Sequence, residues 1–98
     1  MLVIMEYQAE IYTKKTCKHC NLAKKLLAQH NISYQEYIIG GDPHLLTENQ
    51  QVTTRESLLE RCPDAQTVPQ IWLDGQHIGG AEELEQYFAG VDRQENHQ

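Results

Sequence analysis

Tyr12-Thr13-Lys14-Lys15-Thr16-Cys17-Lys18-His19-Cys20, running straight into Asn21-Leu22-Ala23-Lys24-Lys25-Leu26-Leu27, is the stretch on which the reading of this chain turns. It has the pattern of a strand end, a tight bend and a helix start, with both thiols in the bend. A Cys-x-x-Cys placed there puts the first sulfur where the unpaired N–H groups of a helix N-terminus point, and the second one turn along the same face. Partial positive charge from the backbone, joined by Lys14, Lys15, Lys18 and His19, is expected to favour the thiolate of Cys17. Cys20, deeper in the helix, is expected to be the more shielded partner. The same spacing is also half of a zinc site, which needs about four ligands, usually completed by a second Cys or His pair. No second pair is visible: Cys62 is single, and His19, His30, His44, His77 and His97 are scattered. Redox chemistry without a metal is therefore the first reading, a zinc site the second and an inert pair the third.

The whole chain bounds what such a pair can do. Its 98 residues make one domain over 1–98, with a core over about 7–90 and a polar tail over 91–98. No apolar run is long enough to cross a bilayer, and no membrane partner is expected. Met1-Leu2-Val3-Ile4-Met5 lacks the basic flank and the length of a signal peptide, so export is not indicated. A reducing, cytoplasmic setting is the default expectation, and there a Cys-x-x-Cys is more often catalytic than structural. A net charge of −6 argues against nucleic acid as a partner. Yet five of the eight basic residues, Lys14, Lys15, Lys18, Lys24 and Lys25, surround the thiols with no acid among them. An anionic substrate would be drawn to that patch, although Lys24 and Lys25 read most simply as the solvated outer face of a helix.

Along the chain, Tyr7 to Tyr12 alternates as a strand with one covered face. A first helix is predicted from about Cys17 to His30, with Leu22/Leu26 and Ala23/Leu27 as its buried stripe and Asn31 as its C-terminal cap. His30 is assigned no chemistry. Ile32 to Ile39 reads as a second strand, completing a right-handed parallel strand-helix-strand unit. Gly40-Gly41-Asp42-Pro43 stops it, and the polar run to Val52 reads as a surface loop. Thr53 to Glu56 has capping-box spacing for a short helix with Leu58 and Leu59 inward, ended by Cys62-Pro63-Asp64. Cys62 reads as a small buried helix-end residue. Ile71-Trp72-Leu73, Asp74-Gly75 and Gln76-His77-Ile78 form a hairpin signal. A last helix follows over Ala81 to Ala89, with Leu84, Tyr87 and Phe88 inward and Gly90 as its stop. The order β-α-β-α-β-β-α implies an α/β domain with a four-stranded mixed sheet and three helices, its site at strand ends and helix starts.

Three patterns in register, the Tyr12 to Cys20 stretch, Thr67-Val68-Pro69-Gln70-Ile71, and Gly75 with Ile78-Gly79-Gly80, make residues 7 to 90 resemble a dithiol glutaredoxin of the thioredoxin-like fold. The resemblance implies a glutathione-dependent reductase of protein disulfides and of glutathione mixed disulfides, acting as a monomer through Cys17 and Cys20. Ribonucleotide reductase is an implied protein acceptor. It further implies a cis Pro69 beside Cys17, with Thr67 and Val68 pairing with the cysteinyl residue of glutathione and Lys14 meeting a carboxylate. Gly79, Gly80, Ala81 and Glu82 would receive the γ-glutamyl end at a helix start. Two departures stand out. Lys18-His19 replaces the family's usual Pro-Tyr, which removes an aromatic border of the ligand groove. A histidine before the second cysteine resembles the disulfide isomerases, and so Lys14, Lys18 and His19 are read as tuning the thiolate, with a reduction potential at or above about −200 to −230 mV. Glu82 stands where the family commonly has Asp. The alternatives are a thioredoxin-like redoxin reduced by a flavoprotein reductase, and a carrier of an iron-sulfur cluster shared with glutathione.

Overall fold

Along β1 (Ala9–Lys14), Ala9, Ile11 and Thr13 point to one face of the sheet and Tyr12 to the other, and all four are buried. A strand covered on both faces belongs in the middle, and β1 lies there in the computed structural model, which describes residues 7–96. The Met1 to Met5 opening and His97 lie outside the described residues. Helix α1 (Lys18–Gln29) crosses over to β2 (Tyr34–Ile39), parallel to β1, and β3 (Gln50–Thr53) pairs parallel with β2. After α2 (Arg55–Arg61), β4 (Gln70–Leu73) returns antiparallel on the other side of β1, followed by β5 (Gln76–Gly79) and α3 (Ala81–Asn96). The sheet order is β3-β2-β1-β4-β5.

The sheet therefore has five strands, not the expected four. The additional strand is the end of the stretch read as a loop. Of Gln50-Gln51-Val52-Thr53 only Val52 is strongly apolar, and it is 38% exposed. This edge strand is defined by backbone pairing, Ile38 opposite Val52 and Ile39 opposite Thr53, and not by burial, so no alternation marks it. With Thr53 in the strand, the helix cap moves one residue on: Thr54 Oγ1 accepts from the Ser57 N–H at 3.1 Å, in place of the expected Thr53–Glu56 box.

Local chemistry sets the other boundaries. Cys17 caps the N-terminus of α1 and His30 its C-terminus, with Asn31 one residue beyond at φ 57°. There the Asn31 N–H donates to the Ala28 carbonyl and the Ile32 N–H to Leu27, a Schellman closure. The buried stripe of α1 is Cys20, Ala23 and Leu27; Leu22 is 39% exposed, which corrects the Leu22/Leu26 pairing. Asp74 and Gly75 both take positive φ, 51° and 82°, the requirement of a type I′ hairpin turn. Helix α3 does not stop at Gly90 but runs on to Asn96. No proline follows that glycine, and its helical cost of about 1 kcal/mol is not enough to end a helix. Leu84 and Phe88 face inward, whereas Tyr87 is 41% exposed.

One face of the sheet packs Ile11, Ile71 and Leu73 against Leu27, Leu84 and Phe88 of α1 and α3. The other packs Tyr12 and Trp72 against Leu58 of α2, with Cys62, Ala65 and Val68 partly buried around them. Cys62 is thus half-buried, at the C-terminal cap of α2. A single carboxylate interrupts the first face. Glu36 is buried, and it accepts from Thr13 Oγ1 at 2.7 Å, Gln50 Nε2 at 2.9 Å and Lys24 Nζ at 3.1 Å. Lys24 is consequently not a solvating residue but the tie between α1 and β2. No helix among the described residues is long and apolar enough to cross a membrane.

Candidate active site

Cys17 and Cys20 are joined as a disulfide at the N-terminus of α1, their Cα atoms 5.2 Å apart. Thr16, at φ 52°, makes the bend that turns the strand end into the helix. The Cys20 N–H points at Cys17 Sγ, 3.2 Å away, so the sulfur sits where the free donors of the first turn converge. Cys17 is 8% exposed and Cys20 1%, the asymmetry expected of an attacking and a resolving thiol. No acidic residue stands in the first turn.

Three other segments close on this pair. The Val68–Pro69 peptide is cis, and the Val68 carbonyl oxygen lies 4.0 Å from Cys17 Sγ. Gly80 packs behind it: a Cβ there would stand 3.4 Å from the Pro69 carbonyl oxygen. Gly79 has φ 121°, and a Cβ on it would come within 2.9 Å of the Glu83 side chain. Gly79 therefore needs glycine for its backbone angle, whereas a Cβ on Gly80 would meet Pro69 at ordinary contact distance and press only on the end of the Glu83 side chain, 3.2 Å away. Glu83 Oε1 accepts from the Gly80 N–H at 2.8 Å, so Glu83 is the acid that touches the diglycine. Glu82, which the sequence reading set at the γ-glutamyl end in place of the family's Asp, is exposed, as is Glu83, and the Ala81 side chain is buried in the core. Capping-box spacing, a carboxylate three residues after Gly80, is the signal that could have found Glu83.

Beside Val68 opens a cavity of about 200 Å³, lined by Lys14, Arg55, Gln66, Thr67 and Val68 over an apolar floor of Ile39, Leu58 and Ala65. Two cations and no acid face it. Arg55, at the first position of α2, and Gln66 were not singled out from the sequence, because only the fold carries them to Lys14. The basic patch read from the sequence is thereby redistributed. Lys24 is committed to Glu36, whereas Lys18 and His19 lie exposed on the first turn of α1 and Lys15 in the bend. The two ion pairs among the described residues are Lys24–Glu36 and Arg61–Glu10, and neither uses a residue of the cavity. Among the described residues there is no group of three or more His, Cys, Asp or Glu arranged to hold a metal ion.

The glutaredoxin family model matches residues 9–78. The chain is 43% identical over 75 residues to glutaredoxin 3 of Escherichia coli K12, which spans 76% of this chain and 78% of that protein. Among solved structures it is similar to glutaredoxin 1 from Francisella tularensis complexed with cacodylate, with a TM-score of 0.61 and 29% identity over 90% of this chain and 95% of that one. It is also similar to a buckwheat glutaredoxin–glutathione complex, with a TM-score of 0.60 and 25% identity over 86% of this chain and 71% of that one.

Proposed function

The chain belongs to the glutaredoxin family of thiol-disulfide oxidoreductases, with the thioredoxin-like fold, and from that premise we propose that it uses glutathione to reduce glutathionylated proteins and protein disulfides. The observation that carries this reading is the Val68 backbone edge 4.0 Å from Cys17 Sγ, beside a cavity lined by Lys14 and Arg55. An extended tripeptide would pair its cysteinyl residue with Val68 and place a carboxylate between the two cations, which puts its sulfur against Cys17. Its other end would reach the start of α3. The Gly80 N–H is already taken by Glu83, so the backbone N–H groups of Ala81 and Glu82 are the donors left for the γ-glutamyl carboxylate.

In the reduced enzyme, the Cys17 thiolate attacks the glutathione sulfur of a mixed disulfide. The protein thiolate leaves and takes up a proton, and Cys17 is left joined to glutathione. A second glutathione thiolate attacks the glutathione sulfur of that intermediate, releasing glutathione disulfide and restoring the Cys17 thiolate. With a protein disulfide, Cys17 forms the mixed disulfide and Cys20 attacks the Cys17 sulfur. The reduced protein leaves, and the Cys17–Cys20 disulfide seen in this structure remains. Two glutathiones then reduce it. A resolving thiol held on the same helical turn makes that step effectively intramolecular. Lys14, Lys18 and His19 add positive charge around the Cys17 thiolate, and the pH profile of Cys17 alkylation measures their joint effect. Ribonucleotide reductase is one protein acceptor within this proposal, and a monomer in the cytoplasm is the form in which the chain would act.

The second reading, a redoxin recycled by a flavoprotein reductase, is favoured by Lys18-His19 standing where the family usually has Pro-Tyr. One assay separates the two. Purified protein is given a glutathionylated peptide with glutathione, glutathione reductase and NADPH, or an insulin disulfide with thioredoxin reductase and NADPH. Turnover confined to the first system supports the glutathione reading, and turnover confined to the second overturns it.

A further inference from the structure

Gln70 and His77 form a hydrogen-bonded chain that ends on the backbone of the substrate edge. His77 Nε2 lies 2.8 Å from Gln70 Oε1, and Gln70 Nε2 donates to the Thr67 carbonyl at 3.0 Å. The two contacts fix each other's sense. A carbonyl can only accept, so the Gln70 amide turns its N–H to Thr67 and its oxygen to His77, and His77 donates from Nε2. Either the Nε2–H tautomer or the imidazolium can do this. The His77 ring is itself held against Trp72, with centroids 4.7 Å apart, and the two residues are opposite each other beside a register shift in the β4–β5 ladder. Neither Gln70 nor His77 lines the cavity.

The Thr67 carbonyl and the Val68 N–H are the two ends of one planar peptide unit. Whatever fixes the direction of the carbonyl fixes where the N–H points, and a hydrogen bond accepted at the oxygen polarises the N–H at the far end. Thr67 is exposed and Val68 only half-buried, so packing alone does not hold that plane. We propose that Gln70, held by His77, is a positioning residue that orients the Thr67–Val68 peptide for pairing with the cysteinyl residue of the ligand. The inference rests on the glutathione reading of the same site. It assigns work to two polar residues on the hairpin that the exchange chemistry leaves unused.

Gln70→Leu removes both contacts, and Gln70→Glu keeps an acceptor for His77 but cannot donate to Thr67. His77→Phe keeps a ring against Trp72 without the donor. Both Gln70 variants are expected to raise KM for a glutathionylated peptide about three- to tenfold, the span of one hydrogen bond's net worth. Turnover number and the pH profile of Cys17 alkylation stay as in the wild type, and His77→Phe acts in the same direction with a smaller effect. The Val68 amide resonance is expected to move in all three. An unmoved Val68 amide overturns the proposal, and so does an unchanged KM. A KM rise that comes with a lower turnover number and a lower melting temperature also overturns it, because that marks general damage. Should the wild-type protein itself fail to turn over the glutathionylated peptide, the glutathione reading falls and the inference with it, whereas wild-type turnover with an unchanged KM in the Gln70 variants removes the inference alone.

Discussion

The two sides of the active site are built by different means. On the thiol side, Thr13, Thr16, Cys17 and Cys20 are near neighbours in the chain, and one strand-to-helix bend puts both reactive sulfurs in place. On the ligand side, Arg55 comes from the start of α2, Thr67 to Pro69 from the loop before β4, and Gly80 and Glu83 from the start of α3. Local construction concentrates the chemistry in one or two atoms, whereas assembly from distant segments spreads the binding over many weak contacts. Substitutions on the first side should abolish function or loosen the fold. Those on the second should erode affinity in steps.

The sharpest test of that contrast is at the two sulfurs. Cys17→Ser is expected to lose turnover of both a glutathionylated peptide and a protein disulfide, down to the uncatalysed rate. Cys20→Ser should lose only the protein disulfide reaction, because deglutathionylation needs no resolving thiol. Turnover of either substrate by Cys17→Ser would remove Cys17 as the attacking atom.

Next in size is the anchor of the thiol side, Glu36 with Thr13 and Lys24. Burial pushes the Glu36 carboxyl up, but hydrogen bonds from Gln50, Thr13 and Lys24, with the Lys24 charge, outweigh it and hold the group below its ordinary 4.5. A carboxyl lowered in the folded state stabilises the fold at pH values above its unfolded value, and this share is lost as pH falls through the lowered one. Lys24→Met leaves the buried carboxylate short of its cation. The Lys24 side chain is 25% exposed, so water softens the loss to about 1–3 kcal/mol, less than for a fully buried pair. Urea titrations should show this loss at pH 7 and a shallower acid-induced fall than in the wild type, because without Lys24 less of the lowering of Glu36 remains to be lost. Glu36→Gln should flatten that fall. If both variants follow the wild-type curve, Glu36 is not the group that sets it.

The same contrast explains what was legible beforehand. The thiol bend, the Asp74-Gly75 turn and the first helix are short-range patterns, and residue order alone carries them. The Lys24–Glu36 tie, Arg55 in the cavity and Glu83 on the diglycine depend on which segments the sheet brings together. A lysine on a helix surface looks the same whether or not a carboxylate waits on the next strand. Strand β3 escaped for a related reason: an edge strand of glutamine and threonine is held by pairing with β2, and pairing leaves no mark in hydropathy. Leu22 and Tyr87 are the reverse case. Both fit an apolar stripe by spacing, but α1 and α3 bury narrower stripes of Cys20, Ala23 and Leu27, and of Ala81, Leu84 and Phe88.

The smallest effect expected is on the ligand side, at Lys14 and Arg55. Both are exposed and line the same cavity, so each meets an incoming carboxylate across water, where an ion pair contributes about 0.2–1 kcal/mol. Lys14→Ala and Arg55→Ala should each raise KM for a glutathionylated peptide by about two- to fivefold, with the turnover number unchanged. The charge origin of the effect can be checked without mutation. Raising ionic strength from 20 to 300 mM, chosen values for the assay, should raise the wild-type KM because exposed charges are screened over about 10 Å. In the double variant KM should no longer respond to salt. Two cations on one carboxylate share the same partner, so their separate penalties should not simply add, and the double-mutant cycle measures the shortfall. A double variant whose KM still climbs with salt would mean that the anion is held elsewhere, and Lys18 and His19 on the first turn of α1 would be the next residues to remove.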